Sequence, residues 1–266
     1  MKSFLKSIYL THLARIKQSH MIQSIYDLIR VPRLKKYPGP YSQDGIIDVV
    51  TNRLFMNCSS GFFVDVGAYD GVTFSNTRHL FLRGWSGICI EPSPNNYRIL
   101  KKVYSGQNRV KLVNLGDGSC DKDAEFFEGG TLSTFSGHAF ELFGKLPWSK
   151  HINWINHFTI KMKTLDMILE ENAAPLGFEV LSIDVEGTEY EVLKGFTIAK
   201  WLPRVVIIEL LRQERFAADD DTWKLQKDSS EKIDLYFLES GYHRGEFSQL
   251  NTVYYRNEKD ILFPKS

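Results

Sequence analysis

Short apolar runs alternating with helical patterns constrain this chain more than any other feature. Phe62-Phe63-Val64-Asp65-Val66, Gly87-Ile88-Cys89-Ile90, Val110–Val113, Val180-Leu181-Ser182-Ile183 and Val205-Val206-Ile207-Ile208 are each too short for a stable helix. They are apolar enough to be strands buried on both faces. The segments between them read as helices. Ser93-Pro94 supplies an N-cap and a first-turn proline ahead of Tyr97, Leu100 and Tyr104. Gly187-Thr188-x-x-Glu191 reads as a capping box opening a helix with Tyr190, Leu193 and Phe196. A further helix is predicted over Ile46, Ile47, Val50 and Leu54. After a helix near 230–240, Gly241-Tyr242 and Thr252-Val253-Tyr254-Tyr255 are predicted to be two closing strands. Strand, helix, strand in this rhythm gives an α/β fold: a Rossmann-like, mostly parallel seven-stranded sheet with helices on both faces.

The 266 residues, 43% apolar, suffice for one large domain with a short appendage. The appendage is predicted at residues 1–40, and the main domain at 41–266. Leu5, Ile8, Leu13, Ile16, Ile22, Ile25 and Ile29 recur at near-helical spacing before Val31-Pro32 and Tyr37-Pro38-Gly39-Pro40 break the pattern. Residues 1–36 hold eight Lys/Arg against Asp27 alone, so this amphipathic extension is basic. It is expected to pack on the domain or a partner subunit, or to dock peripherally on an anionic membrane surface. The net charge of +1 gives no field for nucleic acid, so no nucleic-acid partner is expected. No apolar run reaches the ~18 residues of a membrane span, and Met1–Leu10 lacks the features of a signal peptide. Cys58, Cys89 and Cys120 lack Cys-x-x-Cys spacing and read as reduced thiols in a cytoplasmic protein.

In open α/β sheets, ligands sit beyond the carboxyl ends of the strands. The first strand runs into Asp65-Val66-Gly67-Ala68-Tyr69-Asp70-Gly71, whose glycines permit a tight turn and close approach to a ligand. Glu91 closes the second strand, where a carboxylate can accept from both hydroxyls of a ribose. That much fits NAD as well as S-adenosylmethionine. Asp65 and Asp70 discriminate, because carboxylates near the loop repel a pyrophosphate and attract an ammonium and a sulfonium.

Phe63-Val64-Asp65-Val66-Gly67-Ala68, Ile90-Glu91-Pro92-Ser93-Pro94, Thr164-Leu165-Asp166 and the block Ile183-Asp184-Val185-Glu186-Gly187-Thr188-Glu189-Tyr190-Glu191-Val192-Leu193-Lys194-Gly195 resemble the FkbM family of methyltransferases over roughly residues 42–256. Tyr41-Ser42-Gln43-Asp44-Gly45 resembles an opening found in one branch of it. The resemblance implies a class I methyltransferase fold and S-adenosylmethionine as donor, with S-adenosylhomocysteine as product. It also implies O-methylation, often of a sugar or polyketide hydroxyl. Asp65, Gly67, Ala68, Asp70 and Gly71 then fall near the methionine moiety, and Glu91 and Pro92 at the ribose. Where the family often has Asn or Glu followed by Ala, this chain reads Asn114-Leu115-Gly116-Asp117; Asp117 is the expected partner of the adenine amine.

Methyl transfer to a neutral hydroxyl gains from a base, by roughly 10²–10⁴. Asp184, Glu186 and Glu209, at the ends of the fourth and fifth strands, are the candidates, with Asp184 also facing the donor. Each has a structural alternative: Glu186 organising a helix entrance, Glu209 pairing with Arg204 or Arg212. The three could also hold a divalent metal, but no His-rich set supports them and no metal is expected. Residues 126–160 read as a lid or acceptor-binding insertion. They are rich in aromatics (Phe135, Phe140, Phe143, Trp148, Trp154), with Ser133, Thr134 and His138 as acceptor contacts alongside Gln43. Asp219-Asp220-Asp221 reads as a solvated acidic turn. Two other readings compete: a nucleotide-sugar or NAD enzyme on a similar sheet, and a non-catalytic module that kept the fold. Ligand choice tests the first, and turnover on hydroxylated acceptors the second.

Overall fold

A computed structural model describes residues 30–43, 45–145, 156–210, 220–245, 248 and 250–256. Two compact units divide the chain, Met1–Pro38 and Gly39–Ser266. Of the first, the described part opens with a helical segment over residues 30–35. The rest of the basic extension, Trp148, His151, Trp154, Arg212 and Asp219 lie outside the described residues.

The second unit runs α1 (Ile46–Leu54), β1 (Phe62–Val66), α2 (Arg78–Leu82), β2 (Ser86–Ile90), α3 (Pro94–Val103), β3 (Val110–Val113), β4 (Gly116–Asp117), β5 (Lys122–Glu128), α4 (Gly137–Lys145), β6 (Asn156–Lys163), α5 (Leu165–Glu171), β7 (Val180–Ile183), α6 (Glu189–Lys194), α7 (Ile198–Trp201), β8 (Val205–Glu209), α8 (Asp220–Glu239), β9 (His243–Gly245) and β10 (Asn251–Tyr255). The main sheet has seven strands in the order β3-β2-β1-β7-β8-β10-β9. All its pairings are parallel except those of β10, which runs against both β8 and β9.

The strands are buried on both faces, as their apolar composition predicts. Val64, Val66, Ile88, Ile90, Leu181, Ile183, Val206 and Ile208 meet Leu165, Ile168, Val192, Leu193, Trp201, Ile233 and Phe237 from α5 to α8. On the other face Phe55 packs edge-on against Trp85, and Phe81 against Tyr104, covering the sheet with α1, α2 and the end of α3. Each fully buried large side chain contributes ~1.5–3 kcal/mol. Among the described residues, no helix is long and apolar enough to cross a membrane.

Two caps show where local chemistry does and does not follow its pattern. Ser93 behaves as expected: its Oγ accepts from the Asn96 N–H at 3.1 Å, with Pro94 in the first turn. The capping box at Gly187-Thr188 does not form, because Thr188 makes no side-chain cap. Glu191 instead pairs with Lys194 at the surface, and Glu189 takes the inward role: its Oε1 accepts from the N–H groups of Val185 (3.3 Å) and Gly187 (3.0 Å). The acidic run also differs, since Asp220 and Asp221 begin α8 rather than lie in a turn.

The Thr-Leu-Asp segment has a structural role. Thr164 caps α5, and Asp166 accepts from Thr197 N (2.8 Å), Thr197 Oγ1 (2.6 Å) and Trp201 Nε1 (2.8 Å). Asp166→Ala strands the indole N–H of a buried tryptophan. It is expected to cost about 2 kcal/mol in urea unfolding, with donor binding intact.

The largest departure lies in the predicted lid. Its flanks are strands: β5 pairs with β6 antiparallel from Lys122↔Met162 to Glu128↔Asn156, and β4 adds to β6, giving a second, three-stranded sheet. Phe127 stacks on Phe140 with ring centroids 4.6 Å apart, so Phe140 packs α4 onto this sheet.

Candidate active site

The strand order reverses between β1 and β7, and a crevice opens there at the carboxyl ends, as open α/β sheets dictate. The backbones nearly touch. The Asp184 N–H donates to Val66 O at 3.0 Å, and a Cβ on Gly67 would lie 1.8 Å from Asp184 O. Gly67 also has φ +86°, so glycine is required twice over.

An open cavity lies beyond this crevice. Val66, Ile90, Leu115, Phe126, Phe135 and Val185 give it apolar walls, and Tyr69, Asn96, Thr131 and Ser133 add polar groups. Its charged lining is one-sided: Glu91, Asp117, Asp184 and Glu186, with no Lys, Arg or His among the described residues. The small sheet closes one side. Ser93 Oγ donates to Glu128, and Asn95 Nδ2 donates to the same carboxylate at 2.8 Å, tying β5 to the start of α3.

Glu91 is buried, and its oxygens accept from Tyr69 N and Ser93 N, each at 2.8 Å. Burial pushes its carboxyl up to about 8 against the pull of those two bonds. Asp117 is 5% exposed, and neither carboxylate oxygen has a hydrogen-bond partner among the described residues. Burial, reinforced by Asp166, holds its pKa well above the carboxylate range. An orphaned buried acceptor is costly, so Asp117 is built to meet a donor from a ligand.

At the other end, Asp184, Glu186 and Glu209 each place a carboxylate oxygen within 4.8 Å of the others. Three such charges cannot all persist. Burial raises all three pKa values, Asp184 and Glu209 share a side-chain hydrogen bond, and mutual repulsion raises Glu186 and Glu209 further. Asp184 bonds Glu209 within the cluster, and Arg204 lies over the Phe55 ring, while Arg212 lies outside the described residues. The cluster can exchange a proton with a bound hydroxyl, and its spacing also suits a divalent cation.

Several expected contacts fall outside the cavity. Asp65 does not line it. Its Oδ2 accepts from Thr77 Oγ1 at 2.6 Å beneath the crevice, and burial pushes its pKa up to about 7. Asp70, fully buried, caps its own loop by accepting from Val72 N (2.9 Å), Thr73 N (2.8 Å) and Thr73 Oγ1 (2.9 Å). The acids that line the cavity are Glu91, Asp117, Asp184 and Glu186, and Asp65 and Asp70 are not among them. Ala68 and Gly71 shape the loop without lining the cavity: Ala68 N donates to Ile90 O, and a Cβ on Gly71 would meet Tyr104 and Leu100. Pro92 lines it as expected.

Of the acceptor candidates, Ser133 lines the cavity, while its hydroxyl turns its own loop by donating to Gly130 O. Thr134 is buried, its Oγ1 donating to Glu186 O at 2.8 Å, so it braces the acidic loop. His138 and Gln43 are exposed and do not line the cavity. Two residues not singled out from sequence belong to the site. Tyr69 lines it at φ +50°, and Glu189 fixes the 184–188 loop through the bonds above.

Residues 65–244 match the family described as the methyltransferase FkbM domain. Among solved structures the chain is similar to a Staphylococcus aureus protein provisionally described as a caffeoyl-CoA O-methyltransferase (12% identity, 95% of this chain, 100% of that chain, TM-score 0.47). It is also similar to the O-methyltransferase from Bacillus cereus in complex with SAH (12%, 92% and 96%, 0.42). A third is the SAH-bound Podospora anserina methyltransferase PaMTH1 (10%, 95% and 96%, 0.44). A comparison with curated proteins finds no match.

Proposed function

Because the chain belongs to the methyltransferase FkbM domain family and has the Rossmann-like class I methyltransferase sheet, we propose that it transfers a methyl group from S-adenosylmethionine to a hydroxyl oxygen, most plainly of a sugar in a glycan or glycoconjugate. One observation carries the reading: a crevice cavity lined by four carboxylates and, among the described residues, by no cationic side chain. Burial raises the pKa of all four acids, and a bound sulfonium and ammonium draw them back toward their charged form, whereas a pyrophosphate finds no cation in this lining.

When bound, the donor supplies a methyl carbon on a positively charged sulfur, which leaves as a neutral thioether as the acceptor oxygen displaces it. The chain's residues do the rest. Glu91, oriented by the Tyr69 and Ser93 amides, has lone pairs left for the ribose hydroxyls. Asp117 offers its unpartnered oxygens to the adenine amine. Asp184 lines the cavity and takes the hydroxyl proton, which it shares with Glu209 behind it, and Glu186 repels charge on the pair and so raises its affinity for that proton. Holding oxygen, methyl and sulfur in line supplies much of the rate, and the base supplies roughly 10²–10⁴. The acidic triad's spacing supports one variant, a divalent cation orienting the acceptor oxygen. Chelation separates the two: activity that survives EDTA assigns the triad to proton transfer, and activity lost to EDTA and restored by magnesium assigns it to the cation.

Glu91→Ala is expected to raise the Kd for S-adenosylhomocysteine at least about tenfold, ~1.4 kcal/mol, by isothermal titration calorimetry. An unchanged Kd would move the donor elsewhere. The acceptor is found by mass spectrometry of glycan and lipid-linked glycan pools from cells with and without the protein, where a product heavier by one methylene is expected. Identical pools in protein that binds the donor would argue for a non-catalytic module.

A further inference from the structure

Asp184 and Glu209 hold each other by a side-chain hydrogen bond, whereas Glu186 joins them against three costs. Its φ of +55° is one that a non-glycine residue adopts only under constraint. Its carboxyl loses water by burial, and Asp184 and Glu189 both repel its charge. The residue is only half-buried, so turning to solvent would relieve all three. Its place in the cluster must therefore be imposed by the backbone that carries it.

That backbone is held at both polar ends of a single peptide unit. Thr134 Oγ1 donates to the Glu186 carbonyl at 2.8 Å, and the N–H of the same peptide, on Gly187, donates to Glu189 Oε1 at 3.0 Å. Oε1 also accepts from Val185 N–H at 3.3 Å, in the peptide that follows Asp184. One carboxylate oxygen thus ties together the peptides that follow the two acids. Both clamps are themselves anchored. Glu189 opens α6 and is 6% exposed. Thr134 is fully buried, its Oγ1 accepts from Ser136 N–H at 3.0 Å, and its backbone exchanges two hydrogen bonds with Phe127 of β5. Gly187 completes the fit: at φ +98° it lies where a Cβ would come within 3.3 Å of the Ala139 Cβ on α4. Glu186 lines the cavity, and Glu189 and Thr134 do not.

We propose that Glu189 and Thr134 are positioning residues for methyl transfer: between them they fix the Glu186–Gly187 peptide and so keep the Glu186 side chain against the Asp184–Glu209 pair. The inference rests on the proton-accepting role proposed above for that pair. A peptide bound through its carbonyl and its N–H cannot rotate without breaking both bonds, each of which would leave a buried group without its partner. Releasing it frees the ψ of Glu186 and the φ of Gly187, the two torsions through which the loop relaxes. A reacting group displaced by about 1 Å loses on the order of 100-fold in rate, so bonds made outside the cavity carry a large kinetic weight. Thr134 reaches the loop from the small sheet, which gives that sheet a part in the chemistry as well as in the cavity wall.

The test follows methyl transfer from tritiated S-adenosylmethionine to the glycan pool extracted from cells lacking the protein, as initial rate against pool concentration, for the full chain and four variants. Glu189→Ala and Thr134→Val each remove one clamp and are expected to lower the limiting rate by about 10- to 100-fold. The half-saturating pool concentration and the Kd for S-adenosylhomocysteine should both change by less than about threefold, and the retained affinity shows that the variants fold. Glu189→Gln still accepts from both N–H groups and Thr134→Ser still donates to the carbonyl, so each should keep the limiting rate within about threefold. Hydrogen exchange of the Gly187 amide, read by NMR without any acceptor, should be at least about tenfold faster in Glu189→Ala than in the unaltered protein or in Glu189→Gln. Full limiting rates in Glu189→Ala and Thr134→Val, equal losses in the conservative variants, or donor affinity falling in step with the rate would each overturn the assignment. Absence of transfer by unaltered protein that binds S-adenosylhomocysteine would instead overturn the glycan methylation on which the inference rests.

Discussion

Asp184→Asn is expected to lower kcat by about 100- to 10,000-fold, the range a positioned base supplies. The Kd for S-adenosylhomocysteine should change by less than about tenfold. The asymmetry follows from position. Asp184 leaves β7 at the crevice with its backbone against Gly67, while Glu91 and Asp117, proposed to hold the donor, close β2 and β4. The substitution keeps the shape and removes the proton acceptor. A pH profile adds an independent readout. Burial raises Asp184, and burial with neighbouring acids raises Glu209 well above the usual range, so the pair holds a proton to higher pH than a free carboxyl does. The base form appears only as that proton leaves, and kcat should therefore climb with pH. Asparagine cannot share the proton, so the limb should shift or vanish. Full activity in Asp184→Asn would remove this residue from the chemistry.

Gly67→Ala is expected to raise the donor Kd at least about 100-fold, ~2.7 kcal/mol. The new Cβ would lie 1.8 Å from the backbone oxygen of Asp184, which no side-chain movement relieves, at a φ of +86° that alanine resists. The β1 and β7 loops must part, and the cavity's floor goes with them. Gly84→Ala is the control. Gly84 has φ +98° but nothing within 4 Å of its hypothetical Cβ, so that variant carries the conformational cost alone and should bind the donor normally. Equal, normal affinity in both variants would mean that the crevice is not where the donor sits.

The sheet was legible because strands buried on both faces must be short and apolar, and Val64, Ile88, Leu181 and Ile207 announce them. The second sheet was not. In β5 only Phe126 is buried, among Lys122, Asp123, Glu125 and Glu128, so the strand has almost no hydrophobic signature. In β6 the alternation Phe158, Ile160, Met162 is strand-like, but it adjoins an aromatic segment at helical spacing, which draws the eye to a lid.

The site divides along the same line. Gly67, Glu91, Asp117, Asp184 and Glu186 line the cavity because they close strands, and strand ends can be read from pattern. Asp65 and Asp70 could not be assigned that way. One strand residue earlier or one turn later, a carboxylate faces Thr77 or its own loop amides, and only the backbone path decides. Glu189 and Glu191 show the same limit: two acids in one helical turn, one fixing the 184–188 loop and the other paired with Lys194 in solvent.

Calorimetric titration of the unaltered protein with S-adenosylmethionine, S-adenosylhomocysteine, NAD and a UDP-sugar addresses the acid-lined crevice most directly. Saturable binding of the two adenosyl amino acids, weakened by Glu91→Ala, with no heat from either pyrophosphate, is the expected result. Saturable binding of NAD or the UDP-sugar, with none of the adenosyl compounds, would contradict it.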